Sequence, residues 1–210
     1  YAGPAAMVPG YEDTLLGCER ADSFVVNPHK WLFTPFDLSA FYCRRMDRLR
    51  RAFALTPEYL QSRESEPVRN LMDTGVQLGR RFRALKLWMV LRHFGADGIR
   101  HRLAEHMRLA RLFGDWVDAS NRFERLAPVP FSVVCFRATD ASMADDPAGL
   151  DDLNARLLDG VNATGDVFLS HTRLGGRFVL RLAVGHIRTT ERHVARAWNL
   201  LQEQLAALLT

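Results

Sequence analysis

Two short apolar runs near the start of the chain are separated by polar residues. Residues 24–26 and 38–43 have the length and composition of buried strands, and each ends at a proline or at charged side chains. Apolar positions within residues 11–19 indicate a short amphipathic helix before the first strand. The pattern therefore predicts a pair of buried strands belonging to a larger sheet, joined by a polar turn. This turn contains Asn27, His29 and Lys30.

The middle of the chain changes from an irregular segment to helical periodicity. Residues 56–74 lack a hydrophobic period and include a polar stretch that ends in proline, which is typical of a lid or of a disordered segment. Residues 78–94 are apolar on most sides of a helix, so we expect that helix to be deeply buried and to end at Gly95. Apolar residues at steps of three and four then predict a linking helix over 97–118.

The last third of the chain has the pattern of a small α+β unit. We predict a strand over 131–137, a helix over 148–161, and a hairpin whose strands, 167–173 and 177–184, are joined by a tight turn at Gly175 and Gly176. Thr189 is the expected N-cap of a final helix. One face of that helix carries an apolar stripe that we assign to the core: Val194, Trp198, Leu201, Leu205 and Leu208.

Composition excludes several classes of protein. With 48% hydrophobic and 25% charged residues, the 210-residue chain is typical of a soluble globular protein, and it has no apolar run of about 18 residues that could span a membrane. Its three cysteines lack metal-binding spacing, so we expect no metal site, no disulfide framework and a cytoplasmic location. The net charge is +4, but the arginines alternate with apolar residues, which argues against a nucleic-acid partner.

Lys30 is the residue that most needs an explanation. Only two of the 28 lysine and arginine residues are lysines, Lys30 and Lys86. A lysine can lose its proton and attack a carbonyl to form a Schiff base, whereas an arginine cannot. Ligand sites in α/β proteins form at the carboxyl ends of strands, where the pattern places Lys30. From these residues alone, an ordinary surface lysine beside a turn stays an open alternative.

The sequence around Lys30 resembles a known family. Asn27-Pro28-His29-Lys30-Trp31 is similar to the cofactor-lysine segment of the pyridoxal-phosphate-dependent decarboxylases of the aromatic L-amino acid decarboxylase type, also called group II. The resemblance continues through three further blocks, in the family's order and with close to its spacing, and covers nearly all of the chain. These blocks are residues 55–60, residues 78–86 and residues 177–181.

The resemblance implies an α/β fold of the fold-type-I class of pyridoxal-phosphate-dependent transferases. Residues 1–95 would be the carboxy-terminal part of the large cofactor-binding domain, with a catalytic loop at about 55–74. Residues 96–210 would be a linking helix and the small carboxy-terminal domain. Tyr1 matches a position just after the family's cofactor-binding aspartate. We therefore expect the chain to be the carboxy-terminal portion of a longer enzyme and to be inactive alone.

The resemblance also implies roles for particular residues near the cofactor. Lys30 would bind pyridoxal phosphate as a Schiff base, Asn27 would contact the cofactor, and His29 would line the site. Tyr59 matches a loop tyrosine that resembles a general acid, where related aldehyde synthases carry phenylalanine. A proton delivered by Tyr59 would give an amine, whereas attack by oxygen would give an aldehyde.

Two further positions bear on the substrate. Phe36 matches a residue that borders the substrate ring, and Gly79 matches a position whose size is linked in plant relatives to the choice between indole and phenol side chains. Arg80, Arg81 and Arg83 are expected to form structural or dimer-interface ion pairs.

The expected activity is decarboxylation of an aromatic L-amino acid of the tryptophan, tyrosine, dopa or phenylalanine type to its amine and carbon dioxide. Two alternatives within the family stay open, namely an aldehyde-forming enzyme and a decarboxylase of another specificity. A third is a non-catalytic fragment that lacks the amino-terminal half of the site. The family implies a homodimer, with an amino acid as the small-molecule partner.

Overall fold

The chain divides into two compact units, Tyr1–Ile99 and Arg100–Thr210, in the computed structural model, which describes residues 1–54 and 71–209. Each unit combines helices with antiparallel strands, as expected for a mixed α/β chain. Within these described ranges, no helix is both long enough and apolar enough to cross a bilayer. The assignment of domains to residues 1–95 and 96–210 stays a prediction.

The first unit begins with three 3-10 turns, Gly3–Met7, Glu12–Leu15 and Cys18–Arg20. The predicted amphipathic helix over residues 11–19 is therefore wrong. Gly17 has a φ of 89°, in the left-handed region that a continuous right-handed helix excludes, and it separates the second turn from the third.

The two predicted strands form an antiparallel pair. Strand β1 (Ser23–Val26) pairs with strand β2 (Ala40–Cys43), with Ser23 opposite Cys43 and Val26 opposite Ala40. Their predicted burial is wrong for the described residues, since Val25, Phe41 and Tyr42 are each at least half exposed. A two-stranded sheet has two faces and two open edges. The other residues of the first unit cover only part of them, which leaves these side chains exposed.

The single helical turn α1 (Pro28–Trp31) connects these strands, and helix α2 (Met46–Phe53) follows β2. The sequence pattern did not predict α2, because charged residues dominate it. An ion pair of 2.9 Å between Arg51 and Asp47, one turn apart, supports the helix. A 3-10 turn, Leu71–Thr74, packs near α2 and carries the buried Asp73, whose carboxylate lies 3.5 Å from the Arg50 guanidinium.

Helix α3 (Ala84–Asp118) contains a break at Gly95, where φ is 64° and ψ is 176°. The predicted end of the first helical stretch at Gly95 is thus confirmed, although that stretch begins at residue 84 rather than 78. Its predicted deep burial is wrong for the described residues. Phe82 just before the helix is 76% exposed, and Trp88 and Met89 are more than half exposed. Apolar side chains lie all around this stretch, and the first unit packs against only part of it.

The second unit is a four-stranded antiparallel sheet packed with two helices. The sheet has the order β3-β4-β6-β5, and helices α4 and α5 pack together. The bounds of these elements are Phe123–Arg125 for β3, Val133–Ala138 for β4, Pro147–Ala163 for α4, Ser170–Leu174 for β5, Arg177–Ala183 for β6 and Glu191–Leu208 for α5. The sequence pattern missed β3, whose three residues are too few to show a period.

The predicted hairpin and final helix are confirmed, with two corrections: the first hairpin strand begins at Ser170 rather than at residue 167, and the N-cap differs. Gly175 and Gly176 both have positive φ, as a tight two-residue turn requires, and Leu174 pairs with Arg177. The N-cap of α5 is Thr190 and not Thr189, because the main-chain N–H of Thr190 donates to Nδ1 of His193 at 3.1 Å. The apolar stripe of α5 lies in the core as predicted.

The core of the second unit joins the sheet, α4, α5 and the end of α3. Leu157, Leu180 and Leu201 are completely buried in it. The buried polar Asn154 is fully satisfied, since its amide accepts from the N–H of Ala138 at 2.7 Å and donates to the carbonyl of the same residue at 3.0 Å. Such pairing removes the desolvation cost of a polar group in an apolar core.

His106 is a buried titratable side chain of this unit. It lies on α3 with 2% of its surface exposed. Burial lowers the pKa of His106, and a hydrogen bond with the main chain of His186 only partly opposes this effect. The imidazole is consequently neutral at pH 7.

We expect this burial to make the chain sensitive to mild acid. Because the folded pKa is below the unfolded value near 6.5, the unfolded chain binds the proton more readily, and stability is lost as the pH falls through that value. The melting temperature should therefore fall from pH 7.5 to 5.5, and fall less in His106→Gln. The control is His101→Gln, an exposed position on the same helix. Equal falls in the wild type and His106→Gln would contradict this.

Candidate functional site

Lys30 lies on the single helical turn α1, which a buried tryptophan anchors. Trp31 is only 2% exposed, and its ring centroid lies 5.4 Å from that of Tyr1. The turn is closed by main-chain bonds, since the N–H of Lys30 donates to the carbonyl of Asn27 at 2.9 Å and that of Thr34 donates to Pro28 at 3.2 Å. The Lys30 side chain is exposed, and its amine has no hydrogen-bond or ion-pair partner among the described residues.

The ring of His29 is held against the main chain of Leu38. Its Nδ1 lies 2.5 Å from the carbonyl oxygen of Leu38 and 3.1 Å from the Leu38 nitrogen. The shorter contact favours a ring that donates from Nδ1, which leaves Nε2 as an acceptor for another group. Phe36 meets His29 edge-on, with 5.1 Å between ring centroids, and remains 85% exposed.

Asn27 is held at the end of β1 by Ser39. The hydroxyl of Ser39 donates to Oδ1 of Asn27 at 2.5 Å. This bond fixes the orientation of the amide and leaves its NH₂ group as a donor. Asn27, His29 and Lys30 are thus presented by one short segment.

The loop after Lys30 is bound by the segment that leads into α3. Nζ of Lys86 donates to the carbonyls of Pro35, at 2.9 Å, and Asp37, at 2.8 Å. The Asp37 carboxylate accepts from Arg81 at 2.8 Å and from Arg83 at 3.3 Å. The Arg83 hydrogen bond holds the pKa of Asp37 below its ordinary value. Arg81 and Arg83 therefore form structural ion pairs, as expected.

The structure brings four of the six predicted site residues together: Asn27, His29, Lys30 and Phe36. Gly79 lies in the exposed segment before α3, where an added Cβ would meet no atom within 4 Å. Tyr59 falls outside the described residues. Sequence reasoning missed the positioning contacts of Ser39 and Lys86. The rarity of lysine was a signal for Lys86, but Ser39 gave none.

The described residues contain no group of three or more histidine, cysteine, aspartate or glutamate side chains that could hold a metal ion. The segment around Lys30 instead offers an amine from Lys30, an amide donor from Asn27 and an imidazole from His29.

A family model described as the pyridoxal-dependent decarboxylase conserved domain matches residues 1–139. The chain belongs to the pyridoxal-dependent decarboxylase family. Over its whole length it is 41% identical to tryptophan decarboxylase TDC2 of Camptotheca acuminata and 41% identical to phenylacetaldehyde synthase of Arabidopsis thaliana. The alignments cover 42% and 43% of those proteins, so the chain spans less than half the length of these curated relatives.

A solved structure of a similar protein agrees with the fold. The crystal structure of Oryza sativa TDC with PLP and tryptamine matches with a TM-score of 0.93 at 38% identity, covering 100% of this chain and 44% of that one. The predicted fold-type-I class is therefore confirmed, and pyridoxal phosphate is the cofactor of the family.

The residues present fit that cofactor. The aldehyde of pyridoxal phosphate reacts with a primary amine, and the Lys30 amine is exposed and unpaired within the described part of the chain. The NH₂ of Asn27, on the same short segment, is a hydrogen-bond donor, as a group rich in acceptor oxygens requires. The burial of Trp31 fixes the turn from which Lys30 projects.

We expect Trp31→Ala to destabilise the turn that carries Lys30. Removing a fully buried aromatic side chain costs about 3–5 kcal/mol, measured as the free energy of unfolding in urea. Trp88→Ala provides the matched control, because that ring is 57% exposed and its loss should cost less than about 1 kcal/mol. Similar costs at the two positions would contradict an anchoring role for Trp31.

Proposed function

We propose that this protein, with pyridoxal phosphate, decarboxylates an aromatic L-amino acid to its amine and carbon dioxide. The observation that carries the proposal is the exposed Lys30 amine, unpaired among the described residues and set on a rigid turn. Similarity over the whole chain to a tryptophan decarboxylase supports it. The chain covers less than half of that relative. The proposed activity is therefore that of the full-length protein and not of these 210 residues alone.

Lys30, Asn27 and His29 each have a distinct proposed role in this reaction. The bound cofactor accepts the electron pair released at the α-carbon when carbon dioxide leaves. Lys30 would hold the cofactor covalently through its amine, which can also carry a proton once substrate has replaced it. Asn27 would donate from its NH₂ to the cofactor, and His29, held by Leu38, would line the site with Nε2.

Phe36 and Gly79 are proposed to select an aromatic substrate. The exposed Phe36 ring offers an apolar surface for the substrate side chain. Gly79 leaves room that a larger residue would fill, which favours an indole over a phenol.

Tyr59 is proposed to deliver the proton that determines the product. A proton placed on the α-carbon yields the amine. Without it, reaction with oxygen and water would yield aldehyde, ammonia and hydrogen peroxide. The equal 41% identity to a decarboxylase and to an aldehyde synthase makes aldehyde formation the second candidate function. The tyrosine at position 59 favours the amine.

We also propose that the protein is a cytoplasmic homodimer. Free cysteines at positions 18, 43 and 135 agree with a reducing compartment. The exposed apolar side chains around the start of α3 agree with further protein packed against that stretch.

Borohydride should fix the cofactor on Lys30. In the full-length protein loaded with pyridoxal phosphate, peptide mass spectrometry after reduction should find the added mass on the peptide that contains Lys30 and Trp31. Lys30→Arg keeps the charge but cannot form this bond, so both the adduct and decarboxylation should be lost. An adduct on Lys86 would refute the assignment.

Tyr59→Phe should change the product while carbon dioxide is still released. The phenol is the proposed proton donor, so its removal should replace amine with aldehyde, ammonia and peroxide. Amine and peroxide should be quantified against carbon dioxide for tryptophan, tyrosine, dopa and phenylalanine. If the wild-type protein already forms one peroxide per carbon dioxide, Tyr59 is not the proton donor.

A further inference from the structure

Lys86, the second of the two lysines, uses its amine to bind main-chain carbonyls. Nζ donates to the carbonyl of Pro35 at 2.9 Å and to that of Asp37 at 2.8 Å. These carbonyls belong to the residues on either side of Phe36. An ammonium has three donors, and two of them are committed here.

We propose that Lys86 is a positioning residue that holds Phe36 in place for the substrate ring. The inference rests on the proposed function, because it assigns to Phe36 a substrate that the reaction supplies. Lys86 acts through the main chain of the loop and does not touch the reacting atoms.

The state of Phe36 supports this role. An apolar ring that is 85% exposed would lower its free energy by turning onto nearby apolar surface. The ring instead stands edge-on to His29, which is itself bound to Leu38. Holding both neighbours of Phe36 restricts the backbone on which the ring turns. An aromatic ring kept exposed in this way is prepared for a partner that arrives later.

The side chain of Asp37 gives the loop a second attachment. Its carboxylate accepts from Arg81 and Arg83, while Lys86 binds its carbonyl. The ion pairs are partly exposed, so each contributes little alone. The Lys86 contacts differ in kind, because a compact ammonium can satisfy two carbonyls that lie close together. A planar guanidinium spreads its donors and fits such a pair less well.

The test compares three variants of the full-length, cofactor-loaded protein. Lys86→Met keeps most of the length of the unbranched side chain without its donors, and Lys86→Arg keeps the charge. Arg92→Met is the control, since Arg92 is an exposed cation on the same helix that lies over Trp88 and away from the loop. Steady-state decarboxylation of an aromatic amino acid gives kcat and KM, and borohydride adducts report whether Lys30 still binds the cofactor.

We expect Lys86→Met to raise KM about tenfold, with kcat changed by less than about threefold and the Lys30 adduct unchanged. Lys86→Arg should recover part of the loss, and Arg92→Met should behave as the wild type. In a double-mutant cycle, Phe36→Ala should raise KM by a similar factor, and Lys86→Met should add little to it, because both changes remove one interaction. Additive effects, an unchanged KM, or loss of the Lys30 adduct would overturn the proposal.

A second measurement does not depend on activity. Hydrogen exchange of peptides covering residues 32–39 reports the loop that Lys86 binds, in which the Thr34 N–H donates to the carbonyl of Pro28 at 3.2 Å. Lys86→Met should speed exchange there about tenfold, and Arg92→Met should leave it unchanged. Unchanged exchange in Lys86→Met would overturn the proposal that Lys86 holds this loop in place. The two proposals can fail separately. If exchange is faster in Lys86→Met but the wild-type protein does not decarboxylate, Lys86 does hold the loop and the proposed function is refuted.

Discussion

The burial of Trp31 is the interaction on which the candidate site depends. A lone lysine on a four-residue turn has little to fix its position, because so short a helix gains almost nothing from its own hydrogen bonds. The indole supplies what the turn lacks. It removes a large apolar surface from water and rests against Tyr1, so the residue beside it is carried on a rigid base.

The loop that follows is ordered by polar contacts. His29 binds Leu38, Ser39 binds Asn27, and Lys86 binds the carbonyls of Pro35 and Asp37. Each contact is weak alone. The His29 and Lys86 contacts satisfy main-chain groups outside any helix or strand, and the Ser39 contact orients the Asn27 amide. Lys86 therefore binds the loop that follows Lys30.

The two units differ in how completely they bury their apolar residues. In the second unit, Leu157, Leu180 and Leu201 are fully enclosed and the polar Asn154 is paired. In the first unit, Val25, Phe41, Phe82 and Trp88 remain half or more exposed. These surfaces match the finding that the chain aligns with under half of its relatives' length. Lys30, the proposed cofactor lysine, thus lies in the unit that leaves more of its large apolar side chains exposed.

The sequence by itself determined the strand pair around Lys30, the break at Gly95, the glycine hairpin and the stripe of α5, because local period and turn chemistry specify each. It also determined the family, since the Lys30 segment and three other blocks keep their order. Only the tertiary structure decided that residues 11–19 form separate turns, that the stretch from Phe82 to Met89 is exposed, and that Lys86 reaches Pro35. These features depend on distant groups and on what covers a surface, which residue spacing along one chain does not encode.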